Sequence, residues 1–166
     1  MSVREKILKE AKRIQEDALY SAKGHLVAAS RWSTYHLRIG VPSAILATIS
    51  GASALTQFDY HSVVAGSLAL VTAALVAVST FLNPNEKANC HSNAGNQYLS
   101  LRNSVRFFAE IEYPQINDDA ELTKRLRALV KRRDNLNQTS PQIPSWAYEK
   151  AKKGIRAGEA QYEVDA

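Results

Sequence analysis

In this 166-residue sequence the side chains able to bind a metal, carry a proton or hold an anion are four histidines, one cysteine and clustered arginines and lysines. His25, His36, His61 and His91 fall in three different settings, and only His91, beside Cys90, has a second ligand type close by. Neighbouring residues on a helix point to different sides, so Cys90 and His91 make a poor chelate. No metal and no cofactor are expected. Cys90 reads as a small buried hydrophobe. Serine, histidine and aspartate all occur, yet no nucleophile elbow or glycine-rich phosphate loop accompanies them, and seven glycines are too few to build one. No catalytic residue stands out, and the chain is not expected to be an enzyme.

Anion binding has better candidates. Arg102 and Arg106 stand one helical turn apart, with His91, Asn96 and Asn103 on the same predicted helix, a set suited to a nucleotide or a lipid phosphate. The plainer reading is a solvated basic helix in which Arg106 pairs with Glu110. Lys124, Arg125, Arg127, Lys131, Arg132 and Arg133 form a denser run, ordinarily explained by headgroups or an acidic protein surface. Nucleic acid is not expected, because stacking aromatics are absent from that run and Trp146 and Tyr148 lie beyond Pro141 and Pro144.

The elements that must carry these groups are organised around residues 39–82. No ionisable side chain occurs between Arg38 and Asp59, and none between His61 and the end of the second apolar run at Leu82. At about 1.5 Å per residue each run crosses a hydrocarbon core of roughly 30 Å. The spacing predicts a transmembrane helical hairpin, 39–58 and 62–82, turning at Asp59-Tyr60-His61. A pair of buried helices in a soluble bundle would normally show a charged stripe, and neither run has one. Small residues recur every fourth position, Ser43, Ala47 and Gly51 in the first run and Ala65, Ala69, Ala73 and Ala77 in the second. Such rows let membrane helices approach closely, either within one hairpin or between copies in an oligomer or pore. Hydroxyls such as Thr48, Ser50, Ser67, Thr72 and Thr80 line a polar path or bond their own backbone. The absence of an intramembrane charge argues against a proton-coupled transporter or a voltage sensor.

The flanks read as helices too, making the fold class all-α: a transmembrane hairpin with long helical extensions, assembled into an oligomer. Residues 1–38 form an amphipathic helix over 3–36 with Ile7, Ala11, Ile14, Ala18, Ser21 and Ala22 on a thin apolar seam, and Gly24 as its weak point. That seam needs a partner, either the post-membrane helix or another subunit, and the helix is the natural place for subunits to meet. Where the helix nears the membrane, Trp32, Tyr35 and Arg38 are interface anchors, and Pro42 is expected to kink the first crossing. Asn83-Pro84-Asn85-Glu86 then stops one helix and starts another over 83–113. Ala88, Tyr98, Leu101, Val105, Phe108 and Glu112 share its apolar face, and Pro114 ends it. Residues 114–166 hold a helix capped at Asn117-Asp118-Asp119 and running to about Leu136, a break at Pro141 and Pro144, and a last helix from Ser145.

Lys and Arg are missing from the turn and abundant on both flanks, which by the positive-inside rule predicts both termini in the cytoplasm. No cleavable signal peptide is expected, because the first apolar run begins too far from the N-terminus.

Several of these stretches resemble the SLATT family. They are Tyr20-Ser21-Ala22-Lys23-Gly24-His25, Arg31-Trp32, His36-Leu37-Arg38-Ile39-Gly40-Val41-Pro42, Gly51-Ala52-Ser53-Ala54, Thr80-Phe81-Leu82-Asn83-Pro84-Asn85-Glu86-Lys87 and Ala94-Gly95-Asn96-Gln97-Tyr98-Leu99-Ser100-Leu101-Arg102-Asn103. The likeness spans about residues 20–112, and none is drawn beyond Pro114. SLATT domains are two-transmembrane effectors tied to nucleotide-synthetase and nucleotide-sensor systems of bacteria. The resemblance implies an inner-membrane effector of a conflict or antiviral defence system. It would oligomerise and permeabilise the membrane when a nucleotide second messenger, or a partner that makes or senses one, signals infection. The other readings are a non-catalytic membrane anchor for a cytoplasmic partner, and a soluble helical bundle that binds acidic partners.

Overall fold

The computed structural model describes residues 2–162, and these are helical almost throughout, with no strand among them. Helix α1 runs unbroken over Val3–Leu55, α2 over His61–Leu82 and α3 over Pro84–Phe107. A π-helical turn, Phe108–Glu112, and a last α-turn, Tyr113–Gln115, extend α3; α4 covers Asp119–Thr139 and α5 covers Ser145–Arg156. The flanking helix runs straight on into the first apolar run. α1 continues through Pro42 for 53 residues, about 80 Å, since one lost N–H does not end a helix whose neighbouring turns are intact.

The remaining boundaries follow local chemistry. Tyr60 and Asn83 both take left-handed backbone, at φ 62° and φ 43°. Asn tolerates that conformation far better than Tyr does. The Asn83 N–H donates to the Ser79 carbonyl at 3.0 Å, closing α2, and its side-chain amide reaches the Glu86 carboxylate in the first turn of α3. Pro84 fills the first position of α3, where an N–H has no helical partner to lose. Pro114 does not end the third helix where expected; the chain turns extended only at Ile116, after the π-turn in which the Tyr113 N–H bonds the Phe108 carbonyl. Asp118 caps α4, its carboxylate accepting the Ala120 N–H at 2.9 Å.

Two compact units result, one from Met1–Ala29 with Asn89–Ala166, the other Ser30–Ala88. In the first, the predicted seam of α1 is the core: Ile7, Ala11, Ile14, Ala18 and Ala22 pack with Tyr98, Leu101, Val105 and Phe108 of the third helix and Leu122 and Leu136 of α4. Each large side chain buried there contributes on the order of 1.5–3 kcal/mol. Of the two partners open to the seam of α1, the post-membrane helix fills it, together with α4.

In the second unit α1 and α2 form an antiparallel pair. Ser43, Ser50 and Ser53 are buried and Leu46 half-buried, facing buried Ala65 and half-buried Leu68, Thr72, Leu75 and Ser79. The steps of three and four are those of a left-handed helix pair. Ser50 Oγ donates across it to the Ala65 carbonyl at 2.8 Å. Ser43, Thr48, Ser67, Thr72 and Thr80 instead donate to the carbonyl four residues earlier in their own helix.

Candidate functional site

The outward face of the helix pair is the first feature to consider. Leu70 is 75% exposed and Phe81 89%, with Val41, Ile45, Ile49, Val63 and Val71 also exposed. Both helices are long and apolar enough to cross a membrane, and none of the most apolar stretch of the second is buried. Water does not tolerate a continuous apolar surface of this extent, and lipid does. The rows of small residues divide. Ser43 and Ala65 lie in the seam, while Ala47, Gly51, Ala69, Ala73 and Ala77 are exposed, and a Cβ added at Gly51 would meet nothing within 4 Å. A strict step of four drifts around a helix, whereas the seam inside the pair follows steps of three and four, so most of each row ends outside it.

At the open end of the pair the predicted anchors form a cluster. Trp32 and Tyr35 rings meet edge to face at 5.8 Å, Arg31 Nε donates to the Tyr35 hydroxyl at 3.0 Å, and Lys87 Nζ sits 4.5 Å from the Trp32 ring centre. Amphipathic rings with cations beside them suit a headgroup layer. Arg38 is exposed.

The third feature was not legible from spacing. His25 and His91, 66 positions apart, meet through their Nδ1 atoms at 3.0 Å, both almost fully buried, and His25 stacks on Tyr98 at 5.5 Å. α1 and α3 approach closely here because Gly95 faces Leu26, where an added Cβ would lie 2.9 Å from Leu26 Cγ. Burial, then the neighbouring imidazole, pushes the His25 pKa down to about 4, and burial lowers that of His91. A shared signal did exist in the sequence: His25 continues the α1 seam after Ala18 and Ala22, and His91 lies between Ala88 and Ala94 on the buried stripe of α3.

His91 is therefore drawn away from the anion-binding set in which the sequence placed it, and Asn96 is exposed on another face of α3. Arg102 and Arg106 do come together, over a tyrosine. Their guanidinium carbons lie 5.3 and 4.8 Å from the Tyr162 ring centre, and Arg102 Nη1 donates to its hydroxyl at 3.2 Å. The expected Arg106–Glu110 pair is not made. Cys90, expected buried, is exposed, because it sits one residue, or about 100°, off the stripe that His91 occupies.

Much of the basic run on α4 is used inside the fold. Arg125 pairs with Glu112 at 2.8 Å and Glu121 at 3.1 Å, Arg132 donates to the Ser100 and Ser104 hydroxyls, and Arg133 faces Glu10, Asp17 and Asp134. Arg127 and Lys131 are left without an ion pair among the described residues. Among those residues, too, no three His, Cys, Asp or Glu side chains cluster as metal ligands.

Comparison with known proteins agrees with the helix pair. No curated protein and no solved structure matches the chain. A family model described as SMODS and SLOG-associating 2TM effector domain family 4 matches residues 7–166, so the likeness read over 20–112 extends through α4 and α5, where none had been drawn. A match over nearly the whole chain, on a fold with two apolar helices of membrane length, places this protein in the SLATT family of two-transmembrane effector domains.

Proposed function

We propose that the chain is an inner-membrane effector of a bacterial conflict system, which oligomerises and permeabilises the membrane in response to a nucleotide-type signal or a partner that makes one. Two crossings in one chain cannot enclose water, so a path for ions requires several copies packed side by side. The observation that carries this reading is the exposure of small residues on both helices, Ala47 and Gly51 on α1 and Ala69, Ala73 and Ala77 on α2, on an otherwise lipid-suited surface, since small residues let helices of neighbouring copies pack closely. Family membership supports the effector role and the association with SMODS and SLOG components. The scarcity of Lys and Arg at the turn supports an orientation with both termini in the cytoplasm.

The test is to express the chain with its genomic neighbours, apply the trigger and follow membrane potential with a voltage-sensitive dye. Depolarisation that depends on this chain is the expected result; an unchanged potential in triggered cells would overturn the proposal. Recovery of the chain in the soluble fraction without detergent would overturn it earlier.

A further inference from the structure

Between α1, α4 and α5 lies a cleft of about 630 Å³, a volume usual for small-molecule sites. Helix α5 buries Ala147, Ala151 and Gly154 against the body of its unit. This turns Tyr148, Lys152 and Arg156, each four residues after the last, into a stripe along one wall of the cleft. Glu16, Asp17 and Tyr20 of α1 line the cleft as well, and the Tyr20 and Tyr148 rings are 6.2 Å apart. Buried Tyr98 contributes to the lining and donates its hydroxyl to Asn137 Oδ1 at 2.7 Å, which leaves the Asn137 amide N–H groups to donate.

The charges restrict what fits. Lys152 has only a long contact to Glu149, at 3.9 Å, and Arg156 has no hydrogen-bond or ion-pair partner among the described residues, so both are available to an anion. Free phosphate or a purely acidic ligand would also meet Glu16 and Asp17, which repel it. Arg133, which also lines the cleft, reaches Asp17 only at 4.0 Å, and the remaining carboxylate oxygens of Glu16 and Asp17 accept from hydroxyl donors, as acidic residues do with ribose. Two tyrosines at the cleft offer faces for a flat ring. A ligand with phosphate, vicinal hydroxyls and a planar ring satisfies all three demands together.

We infer that this cleft is a nucleotide site, with Lys152 and Arg156 on phosphate, Glu16 and Asp17 on ribose hydroxyls and Tyr20 and Tyr148 against the base. The inference rests on the reading that a nucleotide-type signal starts the response and gives that signal a place on this chain.

The test is calorimetric titration of the full chain, purified in detergent, with the ribonucleoside triphosphates, using adenosine and tripolyphosphate as part-ligands. At least one nucleotide is expected to bind more tightly than either part. Arg156→Ala should weaken it roughly tenfold, as loss of one charge-assisted hydrogen bond does, and Tyr148→Leu should abolish the advantage over tripolyphosphate. Circular dichroism and thermal midpoints of both variants, expected to be those of the parent, separate lost contacts from lost fold. No binding by any nucleotide up to about 1 mM, or binding of tripolyphosphate as tight as of the nucleotides, would overturn the site. Depolarisation of triggered cells is scored separately: its persistence without binding removes this cleft alone, and binding without depolarisation removes the permeabilising role alone.

Discussion

The single contact between His25 and His91, Nδ1 to Nδ1 at 3.0 Å, requires one ring to donate and the other to accept, so the two cannot both be cations. Burial first, and the neighbouring imidazole second, take the His25 pKa from 6.5 to about 4. The consequence for stability has a definite sign. As pH drops through 6.5 the unfolded chain takes up a proton on His25 that the folded chain refuses until about pH 4. Stability is therefore fully present above 6.5 and is lost progressively below it. Between about pH 7 and pH 5 the loss attributable to His25 is roughly 2 kcal/mol, read as a lowered thermal midpoint in detergent. His25→Gln should flatten that dependence; parallel slopes for parent and variant would show that the pair is not its source. Nothing in the spacing of four scattered histidines announced this pair. What the sequence did show was the apolar period on which each lies, and a histidine on a buried stripe is legible as a core residue before its partner is known.

At the scale of elements, glycine carries information that helix propensity misreads. Gly24 looks like a weak point of α1, yet an added Cβ there would lie 3.0 Å from Ile143 Cγ2, in the segment between α4 and α5. Gly95 is tighter, with Leu26 Cγ at 2.9 Å and the Ala22 carbonyl at 3.3 Å from its added Cβ. The Ala22 backbone cannot swing aside as a side-chain tip can, so Gly95→Ala should cost about 1–3 kcal/mol. The exposed neighbour Asn96→Ala should stay within about 0.5 kcal/mol. Chemical denaturation of the two variants side by side measures this, and equal stabilities would mean that α1 and α3 need no close approach. The apolar faces of α1 and α3 were readable from the 3.6-residue period. Their mutual distance was not, because it is set by which small residue on one helix meets which side chain on the other.

For the whole molecule the decisive surface is that of the exposed small residues on the helix pair. Gly51→Leu and Ala69→Leu put bulk where the single chain has room, so the helix pair itself should fold and insert as before. If copies pack through these residues, crosslinking in membranes should show the oligomer reduced tenfold or more, on the order of the 1.4 kcal/mol that a blocked close approach removes, together with loss of triggered depolarisation. An unchanged oligomer and an unchanged response would leave them facing lipid and favour a membrane anchor whose partners assemble elsewhere.

The sequence by itself determined the helical class, the two apolar helices with their short turn, the stop at Asn83-Pro84, the cap at Asp118 and the apolar seams of α1 and α3. All of these are short-range properties of charge, period and capping chemistry. Only the tertiary structure decided that α1 spends its seam on the chain's own α3 and α4, that His25 finds His91, and that Tyr162 lies over Arg102 and Arg106. It also decided that most of each small-residue row is left outside the seam of the helix pair. These depend on which faces meet across tens of residues, and local pattern carries the face without naming its partner.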